Sequence, residues 1–261
     1  MSVGCEAAYD RMTELEISSE RFDRKRYDPP GSLRKYIICS TQRSGSFLLC
    51  RQLINAGIGV PQEYFNRLHI ELLCGRWKLD LEDRQGYLSQ LYARRSTPNG
   101  VWGCKLQWPQ YAANRPVLEA GLLGACDYIF LYRTDVFSQA VSLHISVVTG
   151  IWGFDGTPTT APRHDIRLGD FQHVARCARQ IGAEYEAWRR LFISRKITPL
   201  ATRYEDFAAD QPGFVRRVAQ FLGLDSSSYR VPPPEHRDRR LPPEVEAVRV
   251  ELLERYNSSN A

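Results

Sequence analysis

The 261-residue sequence predicts an α/β fold, a mainly parallel sheet flanked by helices on both faces. Three observations predict it. Two short β-prone runs, Tyr36 to Cys39 and Asp127 to Tyr132, each pass directly into a polar turn and then into helical periodicity. Strand-like and helix-like segments alternate along the chain, the pattern of βαβ units. At 43% hydrophobic and 11% aromatic residues, a chain of this length can bury a full core within one domain.

Residues 1 to 31 are polar, carry the run Arg21-Phe22-Asp23-Arg24-Lys25-Arg26 and end in Pro29-Pro30-Gly31. They are expected to form a weakly ordered arm ahead of a single domain over 32–261. After the first strand, Thr41 to Ser46 is a polar turn, and Phe47, Leu48, Leu49, Leu53 and Ile54 recur at helical spacing up to a glycine stop at Gly57. Residues 70 to 95 read as helical. Thr97 to Gly100 is a turn, and Val101 to Trp108 reads as a second strand. The strand Asp127 to Tyr132 leads through Arg133-Thr134-Asp135 into a helix ending near Val148. Residues 149 to 170 hold four glycines and two prolines, the composition of an irregular loop that lids a site. A helix over 171 to 195, a strand from Thr198 to Tyr204, a helix from Pro212 to Leu222 closed by Gly223, and a last helix from Pro242-Pro243 to about Tyr256 complete the order.

Charge and cysteine usage narrow the function classes. Lys plus Arg is 35 against 30 Asp plus Glu, a net +5 that suits anionic ligands. No long basic block with interleaved aromatics and no helix-turn-helix or zinc-finger spacing occurs, so no nucleic-acid partner is expected. The seven cysteines are odd in number, scattered and without a C-x-x-C pair, which fits a reduced cytoplasmic protein. No H-E-x-x-H is present, and His164 and His173 have no cysteine at zinc spacing, so no metal site is expected. The start of the chain has no apolar leader and no run of 18 apolar residues follows, so neither signal peptide nor membrane span is expected.

The turn Thr41 to Ser46 is the main candidate for chemistry. At a helix N-terminus the first backbone N–H groups lack intrahelical acceptors and the dipole is positive. An anion can therefore be held there by main chain, by the Ser44 and Ser46 hydroxyls and by Arg43, with Gly45 allowing close approach. The turn has no lysine and is not a Walker A loop. The plainer reading is a Ser-capped helix after an ordinary strand.

Four blocks in order resemble the trehalose 2-sulfotransferase family: Thr41 to Ser46, Pro61-Gln62-Glu63-Tyr64-Phe65, Thr97 to Trp108, and Tyr132 to Ser142. The similarity runs over roughly residues 35 to 260 and is dense in those blocks. The resemblance implies a P-loop-like α/β fold and the donor 3′-phosphoadenosine 5′-phosphosulfate (PAPS), whose sulfuryl group passes in line to a sugar hydroxyl without metal. It makes Gln42, Arg43, Ser44, Gly45 and Ser46, followed by Phe47, the loop around the 5′-phosphosulfate, with Arg43 the main cation. Arg133 and Ser138 match the arginine and serine that hold the 3′-phosphate; the alternative for Arg133 is a surface ion pair with Asp135. Glu63 matches the catalytic base that deprotonates the acceptor hydroxyl; the alternative is a solvated loop glutamate. Lys105 matches a lysine that assists the sulfonate or the acceptor; otherwise it lies at a strand edge. Arg237, beside Arg239 and Arg240, falls where many sulfotransferases close a loop on the donor, although this chain departs from the family pattern there. The segment between Phe65 and Thr97 is shorter than in the trehalose enzyme, so the implied acceptor widens to a carbohydrate, a glycolipid or another hydroxylated small molecule. The family's common assembly is a homodimer. Two other readings stay open: a non-catalytic nucleotide-binding protein of the same fold, and an atypical P-loop kinase disfavoured by the missing lysine.

Overall fold

Four strands make one parallel sheet in the order β2-β1-β3-β4, with β1 at Arg34–Ser40, β2 at Val101–Gln107, β3 at Asp127–Tyr132 and β4 at Leu200–Arg203. The structure is a computed structural model and describes residues 22–23, 33–122, 126–153, 156–235 and 240–259. Apart from Phe22 and Asp23, the predicted arm lies outside the described residues, as does Arg237. The helices are α1 (Ser46–Ala56), α2 (Arg67–Trp77), α3 (Arg84–Arg94), α4 (Trp108–Val117), α5 (Val136–Thr149), α6 (Phe171–Arg195), α7 (Tyr204–Ala209), α8 (Gln211–Phe221) and α9 (Pro243–Ser259).

Side chains alternate across a strand with period two, so each strand feeds both faces of the sheet. Tyr36, Ile38, Ile129 and Leu131 join Leu49 and Leu53 of α1 and Phe214, Val215 and Val218 of α8 in one buried cluster. On the opposite face, Tyr128 and Phe130 meet the Phe192 ring of α6 at 6.2 and 5.3 Å between centroids. Helices thus cover both faces, the α/β architecture that the alternation predicts. The described residues of 17–132 and 185–235 form one compact unit and those of 133–184 and 236–261 form another. Within the second, α5 packs on α9 through stacked Phe137 and Tyr256 rings with centroids 3.7 Å apart. The loop after α5 carries an isolated antiparallel bridge between Ile151 and Pro158.

Three local readings are corrected. The stretch 70 to 95 is two helices: Lys78 takes a left-handed φ of 55° at the end of α2, and the Asp83 side chain caps α3 by accepting from Gly86 N–H. The last strand stops at Arg203, where its partner β3 ends at Tyr132, and Tyr204 opens α7 instead. The second strand stops at Gln107, and Trp108 starts α4. Asp23 accepts from Trp77 Nε1 at 2.9 Å and pairs at 2.8 Å with Arg95, whose side chain is fully buried. All cysteines among the described residues are free thiols. Among them, too, no helix is long and apolar enough to cross a membrane.

Gly103 lies mid-strand in β2 because the Tyr36 ring covers it: an added Cβ would sit 2.4 Å from Tyr36 Cζ. Tyr36 is wholly buried and donates to Ile58 O at 2.6 Å, so its ring cannot swing aside. Gly103→Ala is expected to destabilise the fold by about 1–3 kcal/mol, read as a lower urea midpoint at unchanged slope.

Candidate active site

The turn from β1 to α1 is built on unusual backbone. Arg43 and Gly45 both adopt left-handed backbone, with φ of 61° and 86°. Gly45 is the N-cap of α1 and offers no side-chain cap, and no acidic residue occupies the first turn. The starts of α2, α3, α5 and α8 are instead capped by Asn66, Asp83, Asp135 and Asp210. The Ser44 hydroxyl is buried and has no hydrogen-bond partner among the described residues. A positive helix terminus, whose first N–H groups lack intrahelical acceptors, beside an orphaned buried hydroxyl has the chemistry of an anion site. Gly45 is required there on two counts, because a Cβ would also meet the Tyr204 ring at 2.2 Å. Trp188 Nε1 donates to Ser40 O at 3.0 Å and fixes the strand end from which the turn departs.

Glu63 lies on the loop between α1 and α2. Its backbone is held by Asn66 N–H, which donates to Glu63 O at 2.8 Å, and by the His69 ring, whose Nδ1 is 3.0 Å from the same oxygen. Tyr64 and Phe65 are buried beside it; Tyr64 stacks on Trp102, and Phe65 meets Tyr87 edge-on. The loop is tied to β2 by Lys105 N–H, which donates to Gln62 O at 2.9 Å. Glu63 itself is only 8% exposed, so it is no solvated surface glutamate.

Its carboxylate is surrounded by donors. Lys105 Nζ is 2.7 Å from Oε1, Gln107 Nε2 donates to Oε1 at 3.2 Å, and Gln110 Nε2 donates to Oε2. Burial alone would raise the Glu63 pKa, but the Lys105 ammonium and the hydrogen bonds from Lys105, Gln107 and Gln110 outweigh it and hold the group at about 2. Lys105 is on the edge strand, yet it is 3% exposed and its Nζ lies 5.9 Å from the Phe47 ring centroid. Parallel register sets Lys105 beside Ile38 and Gln107 beside Ser40, the residue that enters the anion turn. One end of the sheet therefore carries both the turn and the carboxylate cluster.

Of the residues singled out from sequence, Gln42 to Phe47, Glu63 and Lys105 belong to the same compact unit. Arg133 and Ser138 belong to the other, where Ser138 N–H and its hydroxyl both donate to the Asp135 carboxylate. Gln107 and Gln110 were not legible as site residues: both follow Lys105 at the strand-to-helix junction, and glutamine carries no motif of its own.

Residues 35–256 match the family model described as Stf0 sulphotransferase. The chain belongs to the Stf0 sulphotransferase family. Membership makes it a sulfotransferase by family, a class that draws on a sulfuryl donor. A trehalose 2-sulfotransferase of Mycolicibacterium smegmatis is 30% identical, the match covering 73% of this chain and 84% of that protein. The trehalose 2-sulfotransferase of Mycobacterium tuberculosis is 27% identical, with 74% and 86% covered. Among solved structures, a sulfotransferase from Alicyclobacillus acidocaldarius aligns with a TM-score of 0.48 at 15% identity, covering 86% of this chain and 96% of that one.

The Glu63–Lys105 pair has a testable pH signature. Its folded pKa lies below the unfolded value of roughly 4.3, so the stability it adds is present above that value and lost as pH falls toward about 2. Lys105→Met leaves a buried carboxylate held by amides alone and raises its pKa, which reverses the sign. The variant should lose about 3–5 kcal/mol at about pH 8 and less at about pH 5, measured by urea denaturation.

Proposed function

We propose that this Stf0 sulphotransferase transfers the sulfuryl group of PAPS to a hydroxyl of a carbohydrate or glycolipid, with Glu63 as the base. The observation that carries this reading is a buried, ionised carboxylate at the sheet end that bears an uncapped helix terminus with an orphaned Ser44 hydroxyl. The trehalose 2-sulfotransferase relatives support the sugar-type acceptor.

The residues present fit a phosphosulfate. The N–H groups at the start of α1, the Ser44 and Ser46 hydroxyls, and the Gln42 and Arg43 side chains would hold its oxygens, with Gly45 keeping the backbone close and Phe47 beside Lys105. Arg133 and Ser138 are proposed for the 3′-phosphate. When bound, the donor supplies an electrophilic sulfur and a phosphate leaving group. Glu63 takes the proton of the acceptor hydroxyl as its oxygen bonds to sulfur and the sulfur–phosphate-oxygen bond breaks. A carboxylate held at about 2 is a weak base. Proton acceptance therefore needs the Lys105 ammonium to loosen its hold, and the cation that leaves Glu63 lies toward Phe47 and the anion turn.

Calorimetric titration with 3′-phosphoadenosine 5′-phosphate beside AMP and ATP tests the donor: the bisphosphate should bind at least about tenfold more tightly than either. Preference for ATP would sink the reading. Glu63→Gln should lower turnover by about 10²- to 10⁴-fold with bisphosphate binding unchanged.

A further inference from the structure

We propose that Gln110 and Gln107 are positioning residues for the Glu63 carboxylate, forming a neutral amide clamp that fixes its orientation independently of Lys105. The inference rests on the reading of Glu63 as the base.

Two kinds of donor reach this carboxylate, and they differ in what can disturb them. Lys105 is a flexible ammonium that any nearby anion attracts. An amide carries no charge, so a bound anion pulls on it far less, and its orientation is set by what its oxygen accepts. Gln110 Oε1 accepts from Gln107 N–H at 3.0 Å at the start of α4, while its Nε2 donates to Glu63 Oε2. The same amide plane thus satisfies the helix terminus with one end and the carboxylate with the other; flipping it would break both. Pro109 fixes the first turn of α4, and Asn114 of that helix donates to Phe65 O at 3.2 Å, tying α4 to the loop that bears Glu63. Gln107 Nε2 adds a second amide on Oε1, and Gln107 is 5% exposed. Each carboxylate oxygen therefore has an amide donor that remains when the ammonium moves. Effective proton transfer depends on that geometry, where a displacement near 1 Å can cost about 10²-fold in rate.

The distinguishing variants are Gln110→Glu and Gln110→Met. Glutamate at this helix position keeps an oxygen for Gln107 N–H, so the cap survives, but it cannot donate to Glu63 and repels it. Methionine keeps the length and removes both bonds. Carbon-13 NMR titration of the Glu63 carboxylate, assigned with Glu63→Gln, should show its midpoint raised by at least about one pH unit in both variants, with bisphosphate binding within about twofold of wild type. Turnover with PAPS and trehalose should fall about 10- to 100-fold in kcat at little change in donor KM. An unchanged Glu63 midpoint in Gln110→Glu, or wild-type kcat in that variant when Glu63→Gln is inactive, overturns the clamp while the base reading stands. Full turnover by Glu63→Gln overturns both.

Discussion

A carboxylate removed from water stays ionised only if its surroundings replace the lost hydration, and that constraint shapes this site more than any other. Glu63 meets it with one ammonium and three amides, and only the longest of these contacts, from Asn66 Nδ2 at 3.5 Å, comes from its own loop. Lys105 and Gln107 come from β2 because residues two apart on a strand share a face, and Gln110 follows one helical turn into α4. The placement of β2 against β1 is therefore also the placement of the carboxylate's partners. A slip of one residue in that register would turn Lys105 and Gln107 to the opposite face and leave the buried charge without its ammonium.

The anion turn is governed by a complementary restraint. Its buried Ser44 hydroxyl has no partner among the described residues, and the turn must be rigid enough that it finds none. Rigidity comes from aromatic residues distant in sequence: Trp188 bonds to the strand end at Ser40, and the Tyr204 ring covers Gly45. Both rings come from helices that follow β3 in the chain, so the packed body of the fold holds the turn. At α2, α3, α5 and α8 the helix starts are closed by Asn or Asp side chains, which contribute roughly 1 kcal/mol each. The omission at α1 is a local sacrifice of stability where an anion can supply the missing charge.

The same pattern recurs in the buried polar atoms around the site. Ser40, Ser44, Gln62 and Gln107 each retain one without a hydrogen-bond partner among the described residues. Groups of this kind each cost about 1–3 kcal/mol and are rare in packed interiors. At the strand ends and loop that carry the turn and Glu63, such a departure from full satisfaction has a use.

The parallel α/β architecture, the strand–turn–helix at Thr41 to Ser46, and Glu63 and Lys105 as candidates were legible in the sequence, because strand and helix periods, glycine placement and the spacing of the four blocks are local properties. Sequence alone also drew attention to Arg133 and Ser138. It missed the break between α2 and α3, since Lys78 in left-handed backbone looks like any helical lysine, and it ran the last strand to Tyr204 because only the end of β3 shows where pairing must stop. The amide clamp was beyond it. Gln107 and Gln110 acquire their role from the Glu63 loop lying against β2 and α4, 44 and 47 residues away in the chain. Periodicity reports which face of an element is buried; which charge it is buried against depends on chain segments meeting in space, and only the tertiary structure decides that.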